Sequence, residues 1–195
     1  MAPSNTYDAV IVGARCAGAA TALLMARRGM RVLVVDRGRY GTDTLSTHAL
    51  MRGGVLQLHR WGVLPAVIAA GTPPVRTTTF HYGEEAVEVA IRPANGVDAL
   101  YAPRRTLLDA LLVDAARAAG AEVRYGLTLA DLRRDPSGRV AGAVVLDADG
   151  RLNEIAARLA VGADGIGPAG ARPAKPAAQH QARPAPRTGF RRFAG

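Results

Sequence analysis

Short, wholly apolar runs alternate along the chain with stretches in which apolar residues recur every three or four positions, the signature of buried strands separated by helices. Tyr7–Val12 is apolar and β-branched and stops at Gly13, which predicts a buried strand entering a tight turn. Residues 16–28 are mostly Ala, Leu and Met, followed by Arg27 and Arg28 at the negative end of the helix dipole and by Gly29 as a stop. Residues 31–36, RVLVVD, then form a second buried strand that ends on a carboxylate. Strand, helix and strand together make a βαβ unit of ordinary length.

The pattern continues with a polar, glycine-containing loop over 37–47 and helical character over 49–61 and 64–70, broken by Pro73 and Pro74. Residues 75–82 and 86–91 read as a hairpin whose turn lies within 82–85. Pro103 is expected at the first helical position of a further helix, with Leu107, Leu111 and Ala115 beside Leu108, Leu112 and Ala116 on one apolar face and Gly120 as the stop. A returning strand follows at 121–125. A three-stranded meander is expected over 127–134, 139–146 and 152–158, with turns at PSG and ADG, and a last core strand at 159–162. The fold class is therefore α/β, a Rossmann-like domain with a parallel sheet. From residue 166 onward the chain is rich in Pro, Ala, Gly and Arg, too poor in large apolar groups to offset its ordering entropy, so 168–195 is expected to be a disordered tail on a domain spanning 1–167.

With 195 residues the chain suits one domain, and it has no apolar run long enough to span a bilayer. The first residues lack a basic region followed by an apolar segment, which makes the cytoplasm the expected compartment. A single cysteine, Cys16, excludes an internal disulfide and any multi-cysteine metal site, and no metal-ligand spacing stands out. The net charge of +9 raises the question of nucleic acid, but six of those charges, Arg172, Lys175, Arg183, Arg187, Arg191 and Arg192, sit in the tail without a carboxylate. The body is close to neutral, so nucleic acid is not an expected partner. Lys175 is the only lysine, a bias typical of GC-rich coding sequence, which explains the arginine excess.

The candidate chemistry lies in Gly13, Ala14, Arg15, Cys16, Ala17 and Gly18, between the first strand and helix. A turn here needs glycine, and the helix N-terminus behind it offers unpaired N–H groups and positive dipole to a pyrophosphate. The usual fingerprint is GxGxxG, and Arg15 replaces its middle glycine. Its side chain must either point away from the phosphate path or meet the phosphates with its guanidinium. Asp36 follows Gly13 by 23 positions, at the end of the second strand, where a carboxylate can accept both ribose hydroxyls and repels the 2′-phosphate of NADP. FAD and NAD share the ADP moiety, so these residues do not separate the two.

The strings GARCAG, VLVVDR, DTLSTH, YAPRRTLLDALLVDAA and VGADG, in this order, resemble the FAD-binding region of the flavin monooxygenase and geranylgeranyl reductase-like superfamily, which includes the aromatic hydroxylases. The resemblance covers residues 5–167 and implies FAD, held by a Rossmann-like domain with a β-meander crossover. It implies that Gly13 and Gly18 form the pyrophosphate turn, Asp36 the ribose acid and Arg37 a neighbour of adenine. It places Arg104 or Arg105 near the flavin phosphates, Arg52 at the pyrophosphate, and Asp164 with Gly165 in the DG motif beside pyrophosphate and ribose. Relatives of this kind take hydride from NAD(P)H and then hydroxylate or reduce a small-molecule substrate.

Two departures qualify the expected activity. Pro168 stands where the DG motif normally continues to serine, and the later G-D motif of the group has no counterpart. The chain is therefore expected to be an FAD domain incomplete at its C-terminus, with a tail composed like GC-rich DNA read out of frame, binding FAD weakly with little turnover. The alternative is a non-catalytic nucleotide-binding module. Cys16, at a helix start, is either a thiol activated by the dipole or a small packing residue. His48 falls in the loop string, and His59 and Trp61 on a helix face are expected to pack.

Overall fold

The computed structural model describes residues 6–44 and 49–165. Its centre is a six-stranded sheet. Strand β1 (Tyr7–Val12) pairs in parallel with β2 (Val32–Asp36) on one side, and helix α1 (Cys16–Ala26) connects the two. Both faces of these strands are covered over Ala9–Val12 and Val32–Val35, which is why those stretches read as unbroken apolar runs. Ile11, Val32 and Val34 face α1 and a later helix at Arg105–Ala118, while Val10, Val12, Leu33 and Val35 face the meander.

Between β2 and the next strand of this sheet come α2 (Arg52–Trp61), α3 (Leu64–Ala69), the two-residue strand β3 (Pro74–Val75), the hairpin β4 (Thr77–Tyr82) and β5 (Glu85–Ala90), a second short strand β6 (Leu100–Tyr101), and α4 (Arg105–Ala118). The chain then enters β7 (Glu122–Tyr125), which lies parallel to β2. Strands β8 (Thr128–Arg134), β9 (Val140–Leu146) and β10 (Leu152–Gly162) complete the order β7-β2-β1-β10-β9-β8.

The parallel sheet with its β-meander is thus the expected architecture, with several local differences. The meander's third strand and the last core strand are one strand. The first half of β10 pairs antiparallel with β9, and the second half pairs in parallel with β1, Tyr7 opposite Ala157 and Val12 opposite Gly162. No Pro or Gly interrupts 152–161, so a single run serves two neighbours. Helix α2 begins at Arg52 rather than 49, because the Leu50 N–H donates to Tyr101 O at 2.7 Å and holds that residue in a β-bridge. Pro103 lies ahead of α4 instead of within it. Arg104 is the extended N-cap, and the helix starts at Arg105. The β3–β6 pair was not anticipated, since two residues carry no periodicity. On α4 the buried positions are Leu108, Asp109, Leu112, Val113 and Ala116, so the face is centred beside the expected Leu107, Leu111 and Ala115. His48 and the tail at 168–195 lie outside the described residues.

Candidate functional site

Strand β1 ends where the chain must turn sharply to start α1, and Gly13 takes φ +106° there, a conformation L side chains rarely adopt. Its N–H donates to Val35 O at 2.8 Å, and a Cβ on it would lie 2.4 Å from Ala163 O and 3.0 Å from Asp164 N. The turn and the DG segment, Asp164 and Gly165, are therefore packed backbone to backbone at the end of β10. A Cβ on Gly18 would lie 1.7 Å from Gly13 O, so only glycine lets α1 sit this close behind the strand. No side chain caps the N-terminus of α1, and Arg15 is its N-cap residue.

Asp36, at the end of β2, accepts from Ala14 N at 2.7 Å through Oδ2 and from Gly38 N at 2.6 Å through Oδ1. It thereby ties the glycine turn to the loop after β2. A carboxylate offers about four lone-pair positions, so two remain for a ligand's hydroxyl groups. Ala14, Arg15, Asp36, Thr42, Asp109 and Tyr125 line one cavity in front of the turn. Tyr125 is backed by the Arg117 guanidinium, 5.9 Å from its ring centre.

Asp109 is the residue that sequence reasoning missed. It projects inward from the second turn of α4 and is 7% exposed. Its carboxylate accepts from Arg15 Nη1 at 3.1 Å, from Cys16 Sγ at 3.0 Å, and from Arg105 Nε and Nη2 at 3.0 and 3.1 Å. The available signal was a carboxylate inside an apolar face, four positions after an arginine. Of the two arginines at this helix start, Arg105 turns in to Asp109, whereas Arg104 is exposed and pairs with Asp43 at 2.7 Å. Arg37 and Ala17 are exposed. Arg52 donates from Nη2 to Arg92 O at 2.6 Å, and its Nη1 is buried with no hydrogen-bond partner among the described residues.

The surroundings of Cys16 decide between its two readings. Burial, the hydrogen bond to Asp109 and that carboxylate's charge push the thiol up to about 12, against a smaller opposing effect from Arg105. These effects outweigh the helix dipole and hold Cys16 as a neutral thiol that donates to Asp109. A raised acid pKa favours the neutral thiol in the fold. Its contribution to stability is complete below pH 9, the ordinary thiol value, and is lost as pH climbs from there toward 12. At neutral pH the folded chain is expected to react with a thiol reagent about a thousandfold more slowly than the denatured chain, and Asp109→Asn to narrow that gap. Equal rates in folded and denatured chain would remove the assignment.

A glycine turn between strand and helix, an acid at the end of the next strand and a backbone contact from a late strand define a dinucleotide-binding protein of the Rossmann type. Residues 6–181 match the FAD binding domain family, and the chain belongs to it. FixC of Salmonella typhi is 32% identical over 171 residues, covering 83% of this chain and 37% of that protein. The flavin-dependent monooxygenase PieE, solved with FAD and substrate, superposes with a TM-score of 0.68 at 25% identity, over 86% of this chain and 31% of PieE. A geranylgeranyl bacteriochlorophyll reductase-like protein from Thermoplasma acidophilum gives 0.72 at 23%, over 87% of this chain and 42% of that one. The chain thus spans less than half the length of these relatives. The resemblance to the FAD-dependent, monooxygenase-type superfamily and the assignment of FAD both stand. Among the described residues no helix is long and apolar enough to cross a membrane.

Proposed function

We propose that this chain grips FAD by its ADP half, as the cofactor-holding portion of a flavin-dependent monooxygenase or reductase that draws electrons from NAD(P)H and acts on a small-molecule substrate. The observation that carries this is the Gly13 turn, closed at once by Asp36 through Ala14 N and by the backbone of Ala163 and Asp164. In this reading the turn from Gly13 to Gly18 and the first N–H groups of α1 receive the pyrophosphate. Asp36 accepts the ribose hydroxyls and Arg37 flanks adenine. Arg104 or Arg105, with Asp164 and Gly165, lies on the flavin side of the phosphates. Arg52, whose buried Nη1 is a donor to spare, serves an anion from the start of α2.

The bound flavin supplies two-electron redox chemistry, and the residues named here bind and orient its nucleotide end. The residues named here meet only the nucleotide end of the cofactor, so we expect these 195 residues by themselves to bind FAD weakly with little turnover. A non-catalytic nucleotide-binding module is the second reading, favoured by a cavity whose lining, Ala14, Arg15, Asp36 and Thr42, suits the nucleotide end of the ligand.

Both readings are tested by titrating the purified chain with FAD, ADP and NADP by calorimetry and following NAD(P)H consumption. The expected result is saturable binding of FAD and ADP, poor binding of NADP, and negligible FAD-dependent oxidation. A folded chain indifferent to FAD and ADP would end the first proposal, whereas robust coupled turnover would end the second and the expectation of low activity.

A further inference from the structure

Arg15, the departure from GxGxxG, stands at the N-cap of α1, directly before the N–H groups that face an anion. A lone arginine there would spend most of its time extended into solvent, and ordering it on a ligand would consume part of the binding energy. In this chain it is already ordered. Nη1 is fixed on Asp109 at 3.1 Å, while Nη2 lies 3.5 Å from Thr42 Oγ1, the outer limit of a hydrogen bond. The side chain remains 39% exposed, and it lines the same cavity as Asp36. The Asp109 side chain is buried, and its carboxylate is gripped from the other side by the bidentate fork of Arg105. Two guanidiniums on one carboxylate leave the cluster with one net positive charge, so Asp109 can sit beside an anion path without repelling its occupant.

Resting on the FAD reading of this site, we propose that Arg15 is a pyrophosphate-binding residue and that Asp109 is its positioning residue. Asp109 holds the guanidinium across the front of α1, and the weak Thr42 contact is the one a phosphate oxygen replaces. The arginine then supplies by charge what the open path of a middle glycine otherwise supplies by space. The ligand feature recognised is the diphosphate, so the effect belongs to ADP and FAD and not to adenosine.

The experiment titrates the full chain with FAD, ADP and adenosine by calorimetry, in wild type, Arg15→Gly, Arg15→Lys and Asp109→Asn. Arg15→Gly and Asp109→Asn are expected to weaken FAD and ADP about tenfold and to leave adenosine within about twofold, with Arg15→Lys recovering part of the loss. Unchanged or tighter ADP and FAD binding by Arg15→Gly, which restores the usual fingerprint, would overturn the proposal. A loss in Arg15→Gly without one in Asp109→Asn would overturn the positioning role. An equal loss for adenosine in Asp109→Asn would mark a general disturbance and overturn that role as well, leaving the Arg15 result, at a more exposed position, to decide the rest. Wild type binding none of the three ligands would instead overturn the site reading on which the proposal rests.

Discussion

Gly18→Ala is expected to loosen the nucleotide turn and abolish FAD binding, with a loss of about 3 kcal/mol of stability or more. The added Cβ would stand 1.7 Å from Gly13 O and 3.3 Å from Ile11 Cγ2. The first of these is backbone, and no rotamer change relieves it. Helix α1 would have to move off β1, and with it the packing of Ala19, Ala22 and Leu23 against the sheet. Gly53→Ala is the contrasting substitution. That glycine lies within α2 and a Cβ there would meet nothing within 4 Å, so alanine should add about 0.5–1 kcal/mol through helix propensity alone. Denaturant midpoints of the two variants measure the difference. If Gly18→Ala unfolded at the wild-type midpoint, the close approach of α1 to β1 would be wrong.

Asp36→Ala carries the second large effect, and it acts in two ways. With the carboxylate gone, Ala14 N and Gly38 N lose acceptors at 2.7 and 2.6 Å. Stability without ligand should fall by about 2 kcal/mol, the usual scale for a charged hydrogen bond at a partly buried site. The ribose hydroxyls lose their acceptors as well, which should weaken FAD by about a hundredfold beyond any loss of folded protein. Asp36→Asn keeps one acceptor oxygen and should fall between. Thermal melts without ligand and FAD titrations separate the two effects. A melted but tightly binding Asp36→Ala would confine Asp36 to closing the turn.

The parts of this fold that were legible in the sequence are those whose signals are local. Val10, Ile11 and Val12 are buried on both faces, so β1 announces itself as an unbroken run, and Gly13 marks its end. Asp36 was legible because its position at the end of β2 is fixed by the length of the βαβ unit. Its bonds to Ala14 and Gly38 were not, since they depend on where two backbone N–H groups point. Asp109 was hidden for another reason. Its partners Arg15 and Cys16 are 94 and 93 positions away, and only the packing of α4 against α1 brings them together. A carboxylate in an apolar helix face can be noticed in the sequence, but its partners cannot be named from it. The continuity of β10 was obscured because its two halves serve different neighbours, one antiparallel and one parallel, and each half resembles a complete strand.

That shared strand also sets the order in which the site can be built during synthesis. Strand β1 leaves the ribosome well ahead of one of its two neighbours, whose paired residues begin at Ala157, 150 positions after Tyr7. Until those residues emerge, one edge of β1 has no partner and the Gly13 turn lacks the Ala163 backbone that closes it. Closing so long a loop is slow, and an apolar strand waiting with an open edge is exposed to wrong pairing meanwhile. The cofactor turn, encoded well ahead of the strand that closes it, is therefore completed only after that strand has emerged, and it stays open until then.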